Sequence, residues 1–66
     1  MKPHVCTKHD LENEIIDVFL VVQVQGSLFE RWMQGFDEEQ WKEADLFAQE
    51  LASVLRVSFI GDTTSE

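Results

Sequence analysis

The strongest structural signal in this chain is the start of a helix near its middle. Asp37 is a favourable N-cap, and Gln40 follows three residues later, which is the spacing of a capping box. Phe36 and Trp41 flank the cap as the two members of a hydrophobic staple do. Apolar residues then recur every three or four positions, so the pattern predicts an amphipathic helix, helix 2, over residues 38–58.

The segment before this helix fits a longer helix. Apolar residues from Leu11 to Phe36 recur in alternating steps of four and three, and Gln25 is the single polar layer. This seam predicts helix 1 over residues 10–34, which would pair with helix 2 across a short turn. The leading prediction is therefore an all-α fold, an antiparallel helical hairpin, with residues 1–9 as a loose arm and residues 61–66 as a polar tail.

The same segment also permits strands. Residues 15–25 are rich in Val, Ile and Phe, which favour strands, and Gly26 breaks the run. Residues 57–60 could form a second short strand. The alternative prediction is a small β-α-α-β domain, in which the two strands would need dimerisation to complete a sheet.

A chain of 66 residues is short for a stable fold, and Cys6 alone cannot close an intrachain disulfide. Helix 1 carries more apolar residues than one seam requires, and large exposed apolar patches mark interfaces. The surplus predicts a homodimer forming a four-helix bundle, although it could instead fill the core of a β-containing monomer. The predicted dimer core is Ile15, Val18, Val22, Phe29, Phe47, Leu51 and Val54.

This layout resembles the Rop family of small acidic helical hairpins. The residues that carry the resemblance are the Asp37-Glu38-Glu39-Gln40 start, the seam Ala44, Phe47, Leu51 and Val54, and the Gly61-Asp62 exit. The resemblance implies a dimeric four-helix bundle. Rop-like proteins bind paired RNA loops through polar and basic side chains of helix 1, where this chain offers Arg31 alone, so only the architecture is carried over.

Charge narrows the classes of partner. Thirteen acids against five bases give a formal net charge of −8, which argues against binding nucleic-acid phosphates or an anionic membrane surface. The apolar run from Ile15 to Val24 is broken by Asp17 and Gln23, and it is too short to span a bilayer. The polar N-terminus and the free cysteine favour a cytoplasmic protein.

The leading functional hypothesis is a small acidic modulator that docks on and inhibits a larger protein with a basic surface. Phage- or plasmid-type inhibitors and anti-activators of DNA-binding regulators are the analogy. The alternatives are a structural oligomerisation module and a Rop-like RNA modulator, and the acidic helix could be an ordinary solvated face. The predicted partner-binding residues are the aromatic end, Trp32, Met33 and Trp41, and the acids Glu38, Glu39, Glu43, Asp45 and Glu50.

Catalysis and metal binding have little support in the sequence. There is no Gly-rich phosphate loop, nucleophile elbow or acid–base pair, so we expect neither an enzyme nor a bound cofactor. His4, Cys6 and His9 are possible zinc ligands. Their spacing matches no familiar zinc pattern, and incidental residues in a loose arm are the preferred interpretation.

Overall fold

The structure, a computed structural model, describes residues 2–63 and is dominated by a mixed β-sheet. Within that range no helix is long and apolar enough to cross a membrane. The elements follow one another as β1 (His4–Asp10), β2 (Ile15–Val24), β3 (Ser27–Asp37), a 3-10 turn (Glu38–Gln40), α1 (Trp41–Leu55) and β4 (Ser58–Asp62).

The sheet has the strand order β3-β2-β1-β4. β1, β2 and β3 form an antiparallel meander, and β4 pairs with β1 in parallel. A parallel return requires a crossover connection, and α1 supplies it by passing over one face of the sheet. The first and last strands of the chain therefore lie side by side at the centre and edge of the sheet.

The β2–β3 hairpin closes through a two-residue turn. Gln25 and Gly26 have φ values of 52° and 82°, and Val24 pairs directly with Ser27. Two consecutive residues with positive φ are characteristic of a type I′ turn, whose twist matches that of the flanking strands. The polar residue that interrupts the predicted helical seam is thus a hairpin turn residue.

The core lies between α1 and the sheet. Val5 and Val18 are fully buried opposite Ala48 and Ala52 of α1, whose small side chains let the helix approach the strands closely. The rings of Phe36 and Phe47 meet with their centroids 5.6 Å apart. Other partly buried residues packed against this cluster are Leu20, Met33, Leu51, Val57 and Phe59.

Within residues 2–63, no helix covers the opposite face of the sheet. Successive strand residues point to opposite faces, so Cys6 and Lys8 face away from α1. Lys8 Nζ donates to both carboxylate oxygens of Glu30, at 2.9 and 2.8 Å, and lies 4.9 Å from the centroid of the Phe19 ring. These cross-strand contacts cover part of the uncovered face, and Cys6 beneath them is buried.

The predicted all-α helical hairpin is wrong, and with it the Rop resemblance and the four-helix bundle. In place of helix 1, residues 10–34 contain the last residue of β1, all of β2 and most of β3. β-branched residues crowd 15–24, and an apolar run this dense contains steps of three and four as well as strand alternation. The β-α-α-β alternative is closer, since β2 and β4 match its strands, but it placed a helix where β3 lies.

The loose arm predicted for residues 1–9 is also wrong. β1 is a central strand, and Val5, Cys6 and Thr7 are among the most buried residues of the chain. The sequence of β1 gave a weak strand signal because it contains polar residues. It can contain them because α1 covers only one face of β1. Of the predicted polar tail, Gly61 and Asp62 end β4, Thr63 follows it, and residues 64–66 lie outside the described range.

The helix over the second half has the predicted capping box. Gln40 Oε1 accepts a hydrogen bond from the Asp37 backbone N–H at 3.4 Å, and the box links both residues, which confirms that prediction. The first turn is 3-10, and α1 proper begins at Trp41. It ends at Arg56, whose left-handed backbone lets Val57 N–H donate to Ala52 C=O at 3.0 Å.

The predicted dimer core is divided between the interior and the surface of one chain. Val18 is fully buried in the monomer, and Phe47 and Leu51 pack against it or its neighbours. Ile15 and Val22 are half-buried in β2. Phe29 and Val54 remain 54% and 79% exposed, so the seven residues do not form the single helical seam that was predicted.

Candidate functional site: the acidic end of the sheet

Six acidic residues lie in the two segments at the end of the sheet where β1 ends, β2 begins and β3 passes into the 3-10 turn. Cross-strand pairing sets Asp10 and Asp37 on either side of Ile15. The Glu38 backbone N–H donates to Glu14 C=O at 3.0 Å, which ties the β1–β2 loop to the start of the helical segment. We call this region the acidic end and define it by Asp10, Glu12, Glu14, Asp37, Glu38 and Glu39.

The β1–β2 loop holds its acids in a defined turn. Asp10 accepts hydrogen bonds from the Asn13 side-chain amide at 2.8 Å and from its backbone N–H at 3.2 Å. The Asn13 side-chain bond, followed by its backbone bond, lowers the pKa of the Asp10 carboxyl because both favour the anion. Glu14 closes the turn with a φ of 56°. Asp10 therefore stays charged to a lower pH than an ordinary carboxyl.

The start of the helical segment completes the acidic end. Glu38 and Glu39 lie in the first turn, where the partial positive charge of helix N–H groups stabilises carboxylates. Glu38 Oε2 lies 2.9 Å from His9 Nε2 of β1, with half of the Glu38 side chain exposed. This contact fixes the 3-10 turn against the sheet.

A cleft of about 410 Å³ opens beside the acidic end, between β1, β4 and the first turn of α1. That volume is within the range of small-ligand sites, about 300–1,000 Å³. Ile16 and Ala44 contribute apolar surface to it. We call it the Trp41 cleft and define it by the residues that carry its chemistry, Thr7, His9, Glu38, Trp41, Asp45 and Asp62.

The predicted aromatic end is not one patch. Trp32 lies on the uncovered face of β3, where its indole N–H donates to Asp17 Oδ1 at 2.9 Å. Met33 packs against the core on the other face. Trp41, 57% exposed, lines the cleft at the start of α1. The strand alternation of β3 separates side chains that a helix would have gathered.

The predicted acidic residues fall into two groups. Glu38 and Asp45 line the Trp41 cleft, and the Asp45 carboxylate also accepts a hydrogen bond from Gln49 Nε2 at 3.0 Å. Glu39, Glu43 and Glu50 are exposed at the surface of the helical segment. Only the first group shares a concave site, and Glu39 belongs to the adjoining acidic end.

The three weak metal candidates do not converge. His4 and Cys6 are on one face of β1, and His9 points to the other, because an even separation preserves the face of a strand and an odd one reverses it. Across residues 2–63, no group of three His, Cys, Asp or Glu side chains is placed to hold a metal ion.

The sequence did not predict three residues that share the cleft with the predicted acids: Thr7, His9 and Asp62. His9 was considered only as a metal ligand. Reading Val5, Thr7 and His9 as alternate residues of one strand face would have grouped them, but β1 was assigned to a loose arm. Asp62 reaches the same site through its parallel pairing with Thr7, which no local pattern reveals.

No protein-family model, curated protein or solved structure matches this chain. Function is therefore inferred from the geometry and charge of its own residues. The acidic end and the Trp41 cleft beside it are the features with the clearest binding chemistry.

Proposed function

We propose that the protein is a small binding module that docks on the basic surface of a larger protein and modulates it. The observation that carries this proposal is the acidic end, where the loop hydrogen bonds and the Glu38–Glu14 backbone bond gather six carboxylates. The chain as a whole has a formal net charge of −8. Such a surface attracts a basic partner and disfavours an acidic one.

Exposed apolar side chains on α1 complement the charges. Trp41 and Leu46 are 57% and 61% exposed. Tryptophan is among the residues that contribute most to binding energy when a partner buries it. Carboxylates on the rim would then direct the encounter, while apolar contacts would slow dissociation.

The test is affinity capture with the tagged full chain from lysate of its source organism, at low and high salt. Glu12→Gln/Glu39→Gln removes two acids from the acidic end. Ser27→Lys/Ser53→Lys, at exposed positions elsewhere, changes the net charge equally and serves as the control. We expect one partner that the control retains, that the first variant loses and that salt weakens. A partner that is retained equally by both variants at high salt would contradict the proposal.

A second candidate, a self-associating module, is favoured by β3. This edge strand is 11 residues long, and its Leu28, Phe29 and Trp32 are each more than half exposed. Unpaired strand edges are templates for pairing with another chain. Light scattering of the purified protein distinguishes the candidates, since a stable dimer that captures no other protein would favour self-association.

A further inference from the structure

We infer that the Trp41 cleft binds a guanidinium group, supplied by an arginine side chain of the partner. This inference rests on the proposed function and deepens it, because it names the group that the basic partner inserts. Four features of the cleft support it: its charge, its aromatic wall, an acceptor hydroxyl and its volume.

The charge of the cleft selects a cation. Glu38, Asp45 and Asp62 bring three carboxylates to its lining, and His9 lies against Glu38. Among the described residues around the cleft, none is lysine or arginine. An anionic ligand would meet repulsion from all three acids, whereas a guanidinium forms charge-assisted hydrogen bonds with carboxylates.

The aromatic wall suits a planar cation. Trp41 is the first residue of α1, so its position is fixed by the helix while 57% of its surface stays open. Lys42 Nζ already lies 5.4 Å from the centroid of the indole, which shows that a cation can approach this ring. A guanidinium can stack on an indole as well as attract it, whereas an ammonium acts as a point charge.

Thr7 supplies an acceptor in the lining of the cleft. It is the buried polar residue of the described chain, with 7% of its surface exposed, and it lines the cleft. Its backbone carbonyl accepts hydrogen bonds from the backbone N–H and the side-chain hydroxyl of Thr63. A threonine hydroxyl oxygen can accept a hydrogen bond from a donor group of a ligand.

The donors of a guanidinium match this set of acceptors. Its five N–H groups form a planar fork and need several acceptors in different directions. Asp45 comes from α1, Asp62 from the end of β4 and Thr7 from β1, so the acceptors approach from three elements. A cleft of about 410 Å³ that opens to the surface admits a side chain from outside.

The experiment is an NMR titration of the full chain with capped arginine, N-acetyl-arginine N-methylamide. Capped citrulline has nearly the same shape without the charge, and capped lysine carries the charge without the fork. We expect saturable shifts at Thr7, Asp62 and the Trp41 indole, with binding at least about tenfold weaker for citrulline. Equal shifts with arginine and citrulline, or none with arginine, would overturn the inference.

Four variants and one control, Glu43→Gln, assign the contacts. Trp41→Leu and Thr7→Val should each weaken the binding of capped arginine by about three- to tenfold. Lys42→Met should strengthen this binding, because it removes a competing cation. Asp45→Asn should weaken it more than Glu43→Gln, which removes one charge outside the cleft. Thr7→Val keeps a β-branched residue in β1, so loss of binding with an unchanged amide spectrum reports on the hydroxyl.

The two proposals fail separately. If capped arginine does not bind while capture of the partner still depends on Glu12 and Glu39, the cleft assignment falls and the proposed function stands. If capped arginine binds as described but no partner depends on the acidic end, the cleft assignment stands and the proposed function falls.

Discussion

Arg56 shows how one residue ends α1 at a conformational cost. Its φ of 57° lies in the left-handed region, which most non-glycine residues avoid. The conformation is required because it directs the backbone N–H groups of Arg56 and Val57 to the last carbonyls of the helix. A glycine would reach the same geometry without the clash of a side chain.

Arg56→Gly should therefore stabilise the protein. The left-handed penalty of about 1–2 kcal/mol exceeds the loss of about 0.4–1 kcal/mol from a more flexible unfolded chain, leaving a gain of about 0.5–1 kcal/mol. Urea denaturation measures this change. Ser53→Gly, three residues earlier within α1, is the matched control and should cost about 0.5 kcal/mol. A loss of stability in Arg56→Gly would contradict the proposed helix end.

Asp10 makes the stability of the β1–β2 loop depend on pH. Its pKa is lowered by Asn13, so its contribution to stability is present above about pH 4 and is lost as pH falls through the folded-state pKa. Asn13→Ala removes the side-chain donor and should raise the pKa of Asp10 towards its usual value. Carboxyl chemical shifts followed by NMR across acidic pH test this, and an unchanged Asp10 titration would contradict the loop geometry.

At the scale of elements, β1 decides the fold. It pairs with β2 on one side and β4 on the other, so it joins the N-terminus of the chain to its C-terminal strand. Val5 at its centre is fully buried against α1. An element in that position affects the stability of the whole sheet.

Val5→Ala should cost about 2–3 kcal/mol, because it removes buried methyl groups and leaves a cavity. Val24→Ala near the β2–β3 turn makes the same chemical change at a residue that is 53% exposed, and it should cost less than about 1 kcal/mol. Thermal denaturation followed by circular dichroism compares the two. Equal, small effects would indicate that residues 4–9 belong to the loose arm predicted for residues 1–9.

The sequence was informative where one local rule governs an element. The capping box at Asp37 and Gln40 lies where it was predicted, because it depends on residues three apart. β2 was ambiguous, since its dense apolar run satisfies both periods. β1 and β3 were missed because a half-exposed strand with polar residues has little local signal. The pairing of β1 with β4 also joins segments that are distant in the chain.

At the scale of the whole molecule, the fold separates the apolar core from a charged end. The chain order places the β1–β2 loop, the start of the helical segment and the end of β4 around one region. The sequence predicted acidic contact residues, yet their grouping with Thr7, His9 and Asp62 follows from the β1–β4 pairing. That long-range contact also creates the Trp41 cleft.

The most direct test of the account is hydrogen–deuterium exchange of the chain alone and in complex with its captured partner. If the acidic end is the docking surface, binding should protect the β1–β2 loop and residues 38–45, while β3 exchanges as in the free protein. Protection confined to β3 would contradict docking through the acidic end and would assign the contact to the sheet edge.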